Sequence, residues 1–160
     1  MNLIKKHFQR YREKTPWEFC QKITLEKTIL SLVISFLLAN LGVAERENNM
    51  RLGEIIFLGI FLFPIIETIF FQTVPIWVGR YCKANFTTLI IISTIIFTIA
   101  HAFQGIAAGI TAGLVGGFYL AFSYVHWSEI SHWTAIWVTT LSHSIHNAII
   151  ISLAILFGQL

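Results

Sequence analysis

Glu67, His101, His143 and Asn147 are the residues of this chain with chemistry to offer. Each lies inside an apolar segment, where a charged or imidazole side chain costs at least a few kcal/mol and so usually faces a bundle interior and has a task there. A carboxylate and imidazoles gathered at one depth can activate water. The carboxylate takes the proton, an imidazole orients the water or shares the proton, and a neighbouring donor stabilises the oxyanion. Hydrolysis is the natural reaction class. The same residue types also suit a divalent metal such as zinc, with Glu67, His101 and His143 as ligands. His143 and Asn147 stand four residues apart and present one helix face, an arrangement that also serves as polar glue between helices.

The elements that must position these residues are membrane helices. The chain has 160 residues, 56% of them hydrophobic, with a mean hydropathy of +0.71 and 12% charged residues, where a soluble domain carries roughly 25%. No Asp occurs, all eight acidic residues are Glu, and Glu67 is the one placed deep in an apolar run. The expected class is all-α: a polytopic transmembrane bundle of about five spanning helices behind an N-terminal interfacial helical region. Apolar segments at 28–44, 53–78, 86–104, 105–125 and 132–158 are each near the roughly 20 residues that cross a bilayer. Residues 1–27 read as a retained, basic amphipathic surface segment broken at Pro16, and 28–160 as the transmembrane domain. Lys5, Lys6, Arg10, Arg12, Lys14, Lys22 and Lys27 suit an anionic lipid surface, and with Arg80 and Lys83 they predict a cytoplasmic N-terminus. The partners this implies are the lipid bilayer of the cell membrane and no nucleic acid.

Counting about 1.5 Å per helical residue from the cytoplasmic end of each span puts Glu67 and His143 roughly 16 Å deep and His101 and Asn147 roughly 22 Å deep. All four fall in one layer. Gly105, Gly109, Gly113 and Gly117 recur every four residues in the fourth segment, which predicts close packing of another helix against that face. Arg51 and Arg80 flank the span that carries Glu67 at opposite ends, so neither is expected to pair with its carboxylate. Cys20 and Cys82 are isolated, and His126, Glu129 and His132 read as a solvated loop. Trp77, Trp127, Trp133 and Trp137 read as markers of the membrane interfaces.

Three motifs carry a resemblance. They are Glu67-Thr68-Ile69-Phe70-Phe71-Gln72 after Pro64, then Phe97 with His101, then His143 with Asn147. In order and spacing they resemble the EExxxR, FxxxH and HxxxN or HxxxD motifs of the CPBP family of intramembrane proteases, the CAAX prenyl protease and bacteriocin-processing group also called Abi. The resemblance covers Pro64 to Asn147. It implies an intramembrane endopeptidase acting on hydrophobic, lipidated or leader-type peptides. Glu67 would be the general base, His101 its partner on the water, and His143 with Asn147 the oxyanion-stabilising pair. A glutamate-dependent mechanism without metal is favoured, because Glu67 is the single deep carboxylate and Asn is a poor zinc ligand. The chain departs from the pattern at Thr68, where the family has its second Glu, and at Gln72, where it has Arg. These two are four apart on one helix, so a charged pair is replaced by a neutral one and the packing is expected to survive. The alternative that this departure raises is a catalytically silent relative serving as a peptide-binding, immunity or sensor-regulating protein.

Overall fold

The computed structural model describes residues 9–11, 13–43 and 50–158, and among them every regular element is helical. Five helices follow in order: α1 (Pro16–Asn40), α2 (Leu52–Tyr81), α3 (Phe86–Ala102), α4 (Ile106–Ser128) and α5 (His132–Leu156). The all-α bundle expected from composition is what forms.

The first helix begins earlier than its apolar run. Thr15 accepts from the Glu18 amide while the Glu18 carboxylate accepts from the Thr15 amide, and Pro16 occupies the first helical position. A proline there helps start a helix, because its missing N–H would have had no helical partner anyway. Pro16 therefore opens one continuous helix and does not separate two short surface helices. The expected surface helix before it falls largely on residues 1–8, outside the described residues, as do 44–49 of the first loop. Asn85 and Ser131 cap α3 and α5 through the amides of Thr88 and Thr134. The tight turn between α3 and α4 passes through Gly105 at φ +133°, a conformation that side chains rarely adopt.

Helix α2 contains two prolines and widens before each of them. Leu58–Leu62 and Thr68–Thr73 are π-helical, and Pro64 and Pro75 follow. A proline inside a helix removes a donor and crowds the preceding turn, so carbonyls there lose their usual partners. The neighbours supply replacements. Phe71 O, four residues before Pro75, accepts from Ser93 Oγ of α3 at 2.7 Å; buried backbone groups seldom go without a partner, and least of all in lipid.

One end of the bundle is packed solid and the other is open. Phe19 and Ile23 at the start of α1, Ile76 late in α2, Leu89 and Ile90 early in α3, Phe122, Tyr124, Val125 and Trp127 late in α4, and Ala135 and Val138 early in α5 form one apolar core. Trp127 is buried there and packs edge-on to Phe19, not facing an interface. His126 likewise belongs to α4 and stacks flat on Phe19 at 5.1 Å, so it is not a loop residue. The glycine face of α4 lies directly on α3: a Cβ at Gly113 would sit 2.8 Å from Thr98 Cα, and one at Gly117 2.9 Å from Phe97 Cδ1. Gly109 meets Ala102 in the same way, while Gly105 serves the turn. The close packing predicted from the spacing is present.

Polarity is distributed inside out. Thr24, Lys27, Thr28, Ser31, Thr68, Gln72, Ser93, His101, Thr139, Ser142, His143 and His146 are buried, while Ile29, Phe57, Phe70 and Ile99 point outward. That is the arrangement of helices solvated by lipid. Helices α1, α2, α4 and α5 are long and apolar enough to cross a membrane. Helix α3, at 17 residues, is about 26 Å long, slightly short of the roughly 30 Å hydrocarbon core.

Candidate functional site

At its open end the bundle forms a cleft of about 1850 Å³, and Glu67, His101, His143 and Asn147 all line it. Every residue proposed from sequence as part of the site therefore faces one space. The walls are the later part of α1, the earlier parts of α2 and α4, and the last two turns of α5, and are mainly apolar.

The closest approach is between Glu67 and His143. Their Oε2 and Nε2 atoms are 3.6 Å apart, an ion pair when the imidazole is protonated and otherwise just outside hydrogen-bond reach. The carboxylate keeps some accessibility, at 19% of its side chain, against 7% for the imidazole. His143 Nδ1 is buried and has no hydrogen-bond partner among the described residues.

His101 is held differently. Its Nδ1 lies 3.0 Å from Phe97 O. A carbonyl can only accept, so Nδ1 carries the proton and Nε2 keeps the lone pair, which is the form suited to accepting a proton or orienting a water. The link between the two histidines is Phe97, whose ring centre is 4.3 Å from His101 and 6.0 Å from His143. Phe71 meets Phe97 edge-on at 5.4 Å. Phe97 is buried against Gly117, so the glycine face of α4 is what lets this ring, and the histidines on either side of it, draw together.

Asn147 lines the cleft, but its amide is engaged elsewhere. Nδ2 donates to Gly59 O on α2 at 2.7 Å. Helix α5 approaches closely there, since a Cβ at Gly59 would lie 3.1 Å from Ile151 Cδ1. The pairing of His143 with Asn147 expected from their spacing thus divides into two contacts with α2: His143 with Glu67, and Asn147 with the Gly59 backbone.

Thr68 and Gln72 are fully buried. Thr68 Oγ1 and both polar atoms of the Gln72 amide have no partner among the described residues. The neutral pair is accommodated within the helix packing, as expected, without being satisfied by other side chains there.

A polar seam between α1 and α5 was not expected from the sequence. Thr24 Oγ1 donates to Ser142 Oγ at 2.8 Å, Thr28 Oγ1 lies 2.8 Å from His146 Nδ1, and Lys27 Nζ donates to Ser142 O at 3.4 Å. Lys27, expected among the surface cations, is instead 1% exposed, inside α1 and lining the cleft. The signal was present: Thr24, Lys27, Thr28 and Ser31 follow the i, i+3, i+4, i+7 spacing of one helix face. His146 sits in this seam while also lining the cleft.

Among the described residues no group of three His, Cys, Asp or Glu side chains is gathered closely enough to hold a metal ion. Comparison with protein-family models, with curated proteins and with solved structures finds no match.

Proposed function

We propose that the chain is a membrane-embedded endopeptidase, resembling the CPBP proteases, in which Glu67 activates a water against a peptide carbonyl. The observation that carries this reading is the Glu67 carboxylate facing the His143 imidazole at 3.6 Å on the floor of the cleft. A space of about 1850 Å³ exceeds the roughly 300–1,000 Å³ of ordinary small-molecule pockets and suits an extended hydrophobic segment.

In this mechanism Glu67 takes a proton from water as the oxygen adds to the carbonyl carbon. The tetrahedral intermediate collapses with cleavage of the C–N bond, and the proton held on Glu67 passes to the departing amine. His143 is the imidazole nearest the carboxylate and shares that proton, a role first expected of His101. His101, with its Nε2 lone pair free, orients the water from the other side of Phe97. The substrates are hydrophobic, lipidated or leader-type peptides. The chain crosses the membrane five times with its N-terminus cytoplasmic, and the cleft then opens toward the outer face.

The test uses purified protein in mild detergent with such peptides, cleavage being followed by mass spectrometry. Glu67→Gln, which keeps the shape and removes the base, reduces turnover by about 10²-fold or more, and His143→Ala and His101→Ala also lose activity. Cleavage survives dialysis against a chelator; a loss restored by zinc would transfer the reaction to a metal held by Glu67, His101 and His143. Unchanged cleavage in Glu67→Gln would sink the hydrolytic reading.

Thr68 and Gln72, buried where the CPBP motif has Glu and Arg, favour one second reading, in which the cleft binds a peptide without cutting it, as in an immunity or sensor-regulating protein. Glu67→Gln then retains its full biological effect.

A further inference from the structure

We propose that Asn147 is a positioning residue: its side-chain amide replaces the backbone N–H that Pro64 lacks, and so holds the part of α2 that carries Glu67 against α5. The register of α2 leads to this assignment. At the end of the first π-helical stretch the amide of Phe63 donates to Leu58 O, five residues back. The next bond of that register would run from residue 64 to Gly59 O. Residue 64 is proline and has no N–H to give.

Gly59 O is the carbonyl that receives Asn147 Nδ2, at 2.7 Å. The donor comes from the neighbouring helix at a point where the two are in near contact, as the 3.1 Å from a Cβ at Gly59 to Ile151 Cδ1 indicates. One turn of α5 before Asn147 is His143, and one turn of α2 after Pro64 comes Glu67, and these two face each other at 3.6 Å. The Asn147 bond and the Glu67–His143 approach are thus successive ties between the same two helices. Ahead of Pro75 the same register would leave Phe70 O without its donor, whereas Ser93 Oγ of α3 reaches the next carbonyl, Phe71 O, so the match of donor to register belongs to Asn147 and Gly59. One of the two N–H groups of the Asn147 amide is committed to this carbonyl, and through that bond Asn147 acts on the placement of Glu67.

The inference concerns the site named in the hydrolytic reading but does not need that reading to hold, and the experiment separates the two. Protein carrying ¹³C at the glycine carbonyls is examined in detergent by infrared difference spectroscopy, as wild type, Asn147→Leu, Pro64→Ala and the double variant. Loss of the donor in Asn147→Leu moves one glycine carbonyl band to higher wavenumber. The same substitution in the Pro64→Ala background leaves the band in place, because the alanine backbone supplies the N–H. The folding equilibrium constant follows the same pattern: Asn147→Leu lowers it about fivefold or more with Pro64 in place, and less than about twofold in the Pro64→Ala background. Turnover lost in Asn147→Leu returns in the double variant. A band that does not move in Asn147→Leu, or equal losses of stability in both backgrounds, overturns the proposal. The band shift without cleavage in any variant overturns the hydrolytic reading and leaves this one standing.

Discussion

Gly113→Ala tests whether the approach of α4 to α3 is what assembles the site. The added Cβ would lie 2.8 Å from Thr98 Cα, 3.2 Å from Thr98 O and 3.2 Å from His101 Cβ. Carbon atoms in contact settle at about 3.5–4.0 Å, so the helices must separate by at least roughly 0.7 Å at this point. The obstacle includes backbone, and rotating a side chain does not relieve it. Overpacking of this kind costs about 1–3 kcal/mol, against which alanine regains about 0.5–1 kcal/mol of helix propensity over glycine. A net destabilisation of about 1–2 kcal/mol remains.

The control is three residues away. A Cβ at Gly116 would meet nothing closer than Thr111 O at 3.8 Å, so Gly116→Ala escapes the clash and is neutral or stabilising by up to about 1 kcal/mol. Both variants are compared by reversible unfolding in mixed micelles, with cleavage measured in parallel. Because the clash involves His101 itself, Gly113→Ala loses turnover on the order of tenfold, in line with the sensitivity of catalysis to displacements near 1 Å. Equal stability of the two variants would refute the reasoning, since composition and position in the helix are alike and only the contact differs.

Two further expectations concern the seam between α1 and α5. Lys27→Met removes a buried ammonium whose hydrogen bond to Ser142 O is long, at 3.4 Å, and keeps a side chain of similar length; unfolding in detergent should show a gain on the order of 1–3 kcal/mol, and a loss of stability would mean that Lys27 has a stronger partner than that carbonyl. Thr28→Val deletes the hydroxyl 2.8 Å from His146 Nδ1 and should cost about 1 kcal/mol. In a double-mutant cycle with His146→Leu the pair is expected to couple by about 0.5–1.5 kcal/mol, and additive losses would remove this contact from the forces docking α1.

Helix number, the α3–α4 turn and the glycine face were legible because they rest on local rules: apolar length, a glycine at positive φ, and a spacing of four. The start of α1 obeys equally local rules, yet Thr15, Pro16 and Glu18 are overridden when Pro16 is weighted as a breaker and the surface segment is ended at Lys27. That Glu67, His101, His143 and Asn147 face inward to one cleft was legible as well, since a carboxylate and imidazoles in apolar runs stand out in any linear reading. Their partners were not. Asn147 pairs with a backbone carbonyl, and no side chain in the sequence marks Gly59 as its acceptor; only the π-register before Pro64 does.

The buried lysine of the cleft was hidden for a different reason. The sequence offered Arg51 and Arg80 as the cations flanking Glu67 on its own helix, and Gln72 stands where the resembling family has arginine. The structure puts a cation into the same cleft from another helix, because the face that carries Lys27 turns inward toward α5. A neutral Gln72 beside Thr68 then leaves no uncompensated charge between them on α2, while the cleft lining still contains, among the described residues, one carboxylate and one ammonium, Glu67 and Lys27. A reading that follows each helix separately takes the buried lysine for surface charge, because only the packing of α1 on α5 shows which face of α1 turns inward.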